Sequence, residues 1–305
     1  MAFAFLTQQN CVYLRHHKYT SMSESESKIK IYLPSNHDSA LSLFKSVFQG
    51  LRKGHDLGFR LFKRDVKASF EGSLFGYFWI IFPPLASAAV WIMLNQQRLI
   101  KVTDTGMSYI AFALLGTTFW SIFSESINKP TQRYKSAMSM MVKLNFPREA
   151  IAISSLYDLT FNAILKLIVL TCLLSFTDET FSVKWLLLIP LCLGVIVVGI
   201  SFGLLISPFG ILFSDITRII NLALPFLMYL SPIVYAIQPD SLLGKFQYLN
   251  PITPWVEHAR WCIGNLTHHG HSMLIIWLVI SFLLSLTGLM MLKVALPIIV
   301  ERSGS

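Results

Sequence analysis

Six apolar runs of near twenty residues constrain this chain more than any other feature: Tyr77–Asn95, Tyr109–Ile127, Ala150–Phe176, Trp185–Phe213, Ile219–Ile237 and Met273–Leu296. As a helix, the first would extend ~28 Å, enough to cross the hydrocarbon core of a bilayer. Lipid supplies no hydrogen-bond partners, so each backbone group must be satisfied within its own segment; the alternating pattern of a membrane barrel is absent. The expected fold is an all-α integral membrane protein with six transmembrane helices. Composition agrees, because 54% of the 305 residues are hydrophobic and only 13% are charged, which excludes an ordinary soluble domain.

Orientation follows from the placement of Lys and Arg. Arg52, Lys53, Arg60, Lys63, Arg64 and Lys67 precede the first run, and Lys129, Arg133, Lys135, Lys143 and Arg148 follow the second. These segments are expected on the cytoplasmic side. The alternate connections are poorer, holding Arg98 and Lys101, then Lys184, then Lys245 and Arg260. Six crossings return both termini to the cytoplasm. The net charge of +9 is then a matter of topology and gives no support to nucleic-acid binding.

Residues 1–50 read as a polar N-terminal extension ahead of a membrane domain over 51–305. Met1 to Asp38 has no apolar core of signal-peptide length and includes a Ser/Glu run, so it is expected to be weakly ordered. Met22 opens that run and would serve as an alternative start site, which the intact mass of protein from the native locus would test. Cys11, Cys172, Cys192 and Cys262 have no paired spacing, which argues against a disulfide framework or a zinc site. His268, His269 and His271 lack carboxylate or thiolate companions, and a solvated loop is the simpler reading. The Asn265-Leu266-Thr267 sequon has chance frequency.

Ahead of the first run, a helix over Leu57–Leu74 would place Phe59, Phe62, Val66 and Phe70 on one face and Arg60, Arg64, Lys67 and Glu71 on the other. That is the pattern of an amphipathic interfacial helix, the alternative being a helix packed on protein. Tyr77, Phe78 and Trp79 read as interface anchors, and Pro83-Pro84 predict a bend within the first span. After Pro130, Tyr134, Met138, Met141 and Val142 recur at helical spacing up to Pro147. A short cytoplasmic helix with exposed methionines would be a docking element for a partner; resting on headgroups is the alternative. In the third span, Asp158, Asn162 and Lys166 are four residues apart and form one stripe. Intramembrane charges face a bundle interior, so the stripe is either a hydrophilic channel wall or an internal pair bridging helices.

The order of motifs resembles the membrane subunits of bacterial ABC polysaccharide exporters, the ABC type 2 transporters. The resemblance rests on Arg64-Asp65-Val66-Lys67, Gly72 to Trp79, Asn145-Phe146-Pro147-Arg148-Glu149, Asp215-Ile216, Leu224-Pro225, Leu230 to Tyr235, and Leu249 to Glu257. It runs from about Leu57 to the C-terminus and leaves the N-terminal extension outside.

The resemblance implies a homodimer of six-span subunits in the bacterial cytoplasmic membrane, forming a channel for a lipid-linked glycan above two ATP-binding subunits. ATP and Mg would be held by those partners, and this chain would need no cofactor. The chain itself contains no Gly-x-x-x-x-Gly-Lys-Ser/Thr phosphate loop. A cytoplasmic coupling helix with Lys143, Asn145, Phe146, Pro147, Arg148 and Glu149 would receive the ATPase stroke, with Asp215 and Arg218 as a second contact. Phe59, Phe62, Arg64, Asp65, Lys67 and Phe70 would belong to the interfacial helix. The connection Gln238–Ser272 would hold outer re-entrant gate helices carrying Asn250, Pro251, Pro254 and Glu257, and an ordinary outer loop is the alternative. Trp79, Phe82, Tyr229 and Tyr235 are candidate channel aromatics beside Asn162 and Lys166, with core packing as the competing role. Pro225 and Pro232 are expected to bend the fifth span.

Three functions fit these residues. The leading one is export of lipid-linked O-antigen, capsule or a similar polymer, and the second is export of a small molecule or lipid on the same fold. The third is a membrane enzyme acting on lipid-linked sugars. Glu257 and His258 give it little support, because adjacent residues on a helix point apart.

Overall fold

A computed structural model describes residues 40–97, 106–143, 146–177, 179, 181–236, 247, 249–264 and 272–304, and no strand occurs among them. Most of the N-terminal extension, together with Arg98, Lys101, Asn145, Lys245, the sequon and the three histidines, lies outside the described residues. Nine α-helices cover most of the described residues: α1 (Ala40–Phe70), α2 (Phe78–Gln96), α3 (Tyr109–Ser136), α4 (Met138–Lys143), α5 (Glu149–Leu174), α6 (Leu188–Leu212), α7 (Ser214–Leu230), α8 (Thr253–Ile263) and α9 (Ser272–Gly304). A 3-10 turn, Val183–Leu187, leads into α6.

Helices α2, α3, α5 and α9 are each long and apolar enough to cross a membrane, and so is α6 with its leading turn. Helix α7 has 17 residues, ~25 Å, and is shorter than these. It nonetheless connects the two ends of the bundle. At its start Thr217 accepts a hydrogen bond from Lys135 at the end of α3, at 3.0 Å. Just beyond its last turn, the Val234 carbonyl accepts one from Tyr109 at the start of α3, at 3.1 Å. The chain thus passes through the bundle six times, as a multi-pass membrane protein.

The fifth run departs from expectation at its end. The apolar run extends to Ile237, but α7 stops at Leu230 because Ser231 precedes Pro232 and adopts an extended conformation, with φ −92 and ψ 148. Pro232 therefore terminates this helix instead of bending it, and Pro225 lies within it. The second run errs in the other direction. Pro130 does not separate a span from a new helix, since α3 continues through it to Ser136. Helix α6 covers the turn that the proline disturbs: a Cβ on Gly203 would sit 2.5 Å from the Ile127 carbonyl oxygen and 3.0 Å from that of Ser126. Pro83 and Pro84 likewise lie inside an uninterrupted α2.

At the centre, α3 packs along α6, with α5 and α2 against α3 and α9 against α6. Small residues make the α3–α6 contact possible. Gly199, Gly203, Ser207 and Gly210 line one side of α6, a Cβ on Gly199 would meet Ser126 at 2.5 Å, and Ser207 hydrogen-bonds Thr131 at 3.1 Å. Close backbone approach of this kind replaces the hydrophobic effect, which gives no net drive between helices already in lipid.

Helix α1 packs on α5 in the same way. Gly50, Gly54 and Gly58 recur every four residues and face Glu149, Ala150 and Ile153; a Cβ on Gly54 would lie 3.0 Å from the Ala150 amide nitrogen. The aromatic face expected on lipid is partly occupied by protein rings. Phe59 lies 5.5 Å from Tyr157, Phe62 6.0 Å from Phe161, and Phe70 4.0 Å from Tyr77. Phe59 still keeps 48% of its surface open, so α1 is both packed on the bundle and amphipathic.

Candidate functional site

Three polar constellations stand out in this apolar bundle. The first is a seam between α3, α5 and α1. Ser121, Glu125, Lys129 and Arg133 are spaced by four along α3, opposite the Asp158, Asn162, Lys166 stripe of α5 in antiparallel register. Lys166, only 4% exposed, donates to Glu125 Oε2 at 2.8 Å and to Ser121 Oγ at 3.0 Å. Asn162 donates to Glu125 Oε1 at 2.6 Å, and Lys129 stands 3.6 Å from the same oxygen. Asp158 pairs with Lys129 and, at 3.1 Å, with Arg133. Arg133 also pairs with Asp65 of α1, which takes Arg64 at 2.7 Å.

The charges alternate from Arg64 to Lys166, so each buried ion has an opposite neighbour and none bears its desolvation alone. The α5 stripe therefore bridges helices. Lys129 and Arg133, read from the sequence only as orientation signals, are its partners. Asp65 and Arg64 belong to the same chain of pairs, whereas Lys67 pairs with Glu71 at the exposed end of α1, at 3.8 Å.

The second constellation surrounds the connection between α4 and α5, at the basic end of the bundle. Tyr134 is 1% exposed and Met141 is buried, while Met138 and Met140 pack partly against the core. The expected methionine surface for a partner is thus turned inward, since the end of α3 and the short α4 fold back on the bundle. What α4 leaves open is Ser139, Val142 and Lys143. Phe146 packs against the core, and the Arg148 carbonyl accepts the Tyr134 hydroxyl at 3.3 Å. Partial burial lowers the pKa of Arg148, an effect opposed by neighbouring Glu149. Glu149 is held by Lys293 of α9 at 3.0 Å. Pro147 is half-buried.

This connection is therefore tied to α3 and α9, and through Gly50 to α1. Nearby, Asp215 and Arg218 pair at 3.2 Å on the first turn of α7, with side chains 79% and 77% exposed. Lys135 links that turn to α3, so the two basic-end connections are joined.

The third constellation closes the opposite end. The chain leaving α7 carries the carbonyls of Pro232 and Ile233, with no helix to satisfy them. Arg260 of α8, fully buried, donates to both, at 2.7 and 2.6 Å. It also pairs with Glu257 at 2.8 Å and stacks 3.4 Å over the Phe112 ring. Gly116 is needed here, because a Cβ would sit 2.0 Å from the Ile233 oxygen. Asn250 donates to Ser231 at 2.7 Å, Gln247 to Tyr235 at 2.9 Å, and Tyr235 to the Tyr229 carbonyl at 2.8 Å. Pro254 is buried in the first turn of α8, and Pro251 is half-buried. Tyr248 and residues 237–246 lie outside the described residues.

The four candidate channel aromatics separate. Trp79 and Phe82 are exposed on α2 with their rings 5.8 Å apart, Tyr229 is exposed on α7 with its ring 5.9 Å from Trp91, and Tyr235 is half-buried in the end closure. Among the described residues, no three His, Cys, Asp or Glu side chains are placed to hold a metal ion.

Comparison with known proteins agrees with this architecture. Residues 58–264 match the model of the ABC-2 type transporter family. An O-antigen export system permease protein RfbA of Klebsiella pneumoniae is 23% identical over 231 residues, covering 74% of this chain and 86% of the relative. Another of that name from Klebsiella pneumoniae is 23% identical over 202 residues, covering 65% and 76%. One from Myxococcus xanthus is 22% identical over 199 residues, covering 63% and 74%. With the family match spanning more than half its length, this chain belongs to the ABC-2 type transporter family.

Proposed function

We propose that this chain is the channel-forming permease subunit of an ATP-driven exporter that moves lipid-linked polysaccharide of the O-antigen class across the bacterial cytoplasmic membrane. The observation that carries the reading is the alignment of 74% of the chain with 86% of an O-antigen export permease. Family membership makes it the membrane subunit of a transporter rather than an enzyme, and implies an ATP-binding partner. The working unit is a homodimer with two such partners, which hold ATP and Mg. Both termini are cytoplasmic.

In this reading the connection from Lys143 to Glu149, with Asp215 and Arg218, receives the partner's stroke. Its ties to α3, α9 and α1 support that role, because a segment anchored to several helices passes displacement to all of them. The closure around Arg260 forms the outer gate. The small-molecule and lipid-linked-sugar enzyme readings draw no support from the relatives.

Depletion in the native cell tests the proposal. The expected result is loss of surface glycan with full-length lipid-linked polymer accumulating inside. Unchanged surface glycan would overturn it.

A further inference from the structure

A cavity of about 460 Å³ opens among α1, α2, α3 and α5, beside the polar seam and on its basic-end half. Its size falls within the range of small-molecule sites, about 300–1,000 Å³. The walls differ in kind. Helices α3 and α5 line it with Glu125, Asn128, Lys129, Gln132, Asp158 and Lys166, whereas α1 and α2 contribute Phe70, Trp79 and Pro83. No lipid tail is matched by the first wall, and no simple ion by the pair.

The four charges on the polar wall are already balanced, Lys166 with Glu125 and Lys129 with both carboxylates. An incoming anion or cation would have to break one of those pairs. A neutral polyhydroxyl ring would not, since its hydroxyls can donate to free carboxylate lone pairs and accept from ammonium protons that remain. Asn128 and Gln132 add amides that make no side-chain hydrogen bond among the described residues. Opposite them, Trp79 and Phe70 offer apolar ring surface to the C–H face of a pyranose.

We infer that this cavity is a subsite for a neutral sugar ring. The inference rests on the export reading above, and it assigns the cavity to the stretch of glycan nearest the lipid, because the site lies in the basic half of the bundle. There the polymer's anchored end starts its passage.

The test is photo-crosslinking in cells that export the glycan, with benzoylphenylalanine at Gln132 and, independently, at Ser69, both exposed positions on the cavity wall. Ser139, exposed on α4 outside the cavity, is the control. The probe is the cell's own lipid-linked glycan, detected as a periodate-sensitive mobility ladder on the labelled chain. Carbohydrate adducts at 132 and 69, absent at 139, are expected. Adducts without carbohydrate at both cavity positions, in cells whose surface glycan is normal, would overturn the sugar subsite and leave the permease reading standing. Unchanged surface glycan after depletion would overturn both.

Discussion

Replacing Lys166 by Met keeps the aliphatic stem and removes one buried charge. Its partner Glu125 would then hold Asn162 at 2.6 Å and, as its remaining cation, Lys129 at 3.6 Å, beyond hydrogen-bond reach. Breaking a buried pair on one side costs about 3–5 kcal/mol. The two remaining partners put this site at the lower end, ~3 kcal/mol. At about 2 °C per kcal/mol for a chain of this size, the variant should unfold ~6 °C lower.

The double variant Lys166→Met, Glu125→Gln removes both charges. Lys129 keeps Asp158 and the new amide can still meet Asn162, so most of the loss should be recovered, to within ~1 kcal/mol. Thermal unfolding of the purified protein in detergent, followed by a thiol-reactive dye on its cysteines, of which Cys172, Cys192 and Cys262 are free thiols among the described residues, reads both values. Lys166→Met unfolding at the wild-type temperature would refute the view that the seam holds α3 to α5. A double variant less stable than the single one would refute the pairing itself.

Gly54→Val should push α1 from α5, because the first added carbon already meets the Ala150 amide at 3.0 Å; a loss of about 1–3 kcal/mol is expected in the same unfolding assay. Arg260→Lys should fail to restore what Arg260→Ala loses, since an ammonium cannot reach two carbonyls and also stack on Phe112; export with each variant, at matched expression, checks it. Asp215→Ala with Arg218→Ala, both exposed, should shift stability by no more than about 0.5 kcal/mol while reducing export, and normal export at normal expression would remove them from the coupling surface.

The crossings were legible because lipid allows so few solutions for an apolar run of twenty residues. Boundaries failed at two prolines, for opposite reasons. Pro232 ends α7, with Arg260 taking up the freed carbonyls, while Pro130 sits inside α3 against a glycine of α6. Neither outcome is encoded next to the proline itself. The seam was half legible: the α5 stripe was evident, but Glu125, Lys129 and Arg133 also recur by four, and matching the two stripes would have paired them. The Gly50, Gly54, Gly58 repeat was a second available signal, obscured by the aromatic periodicity of the same helix. The inward methionines of α4 could not be read, because amphipathicity marks a face without saying what covers it.

The central claim is that this chain conducts glycan for an ATPase partner. Its most direct test is reconstitution of the chain with its ATP-binding subunit in vesicles loaded with lipid-linked glycan on one leaflet. The account predicts ATP-dependent arrival of glycan at the opposite leaflet, where an added glycosidase cuts it, and loss of that signal when this chain is left out. Glycan that stays protected while ATP is hydrolysed normally would contradict it.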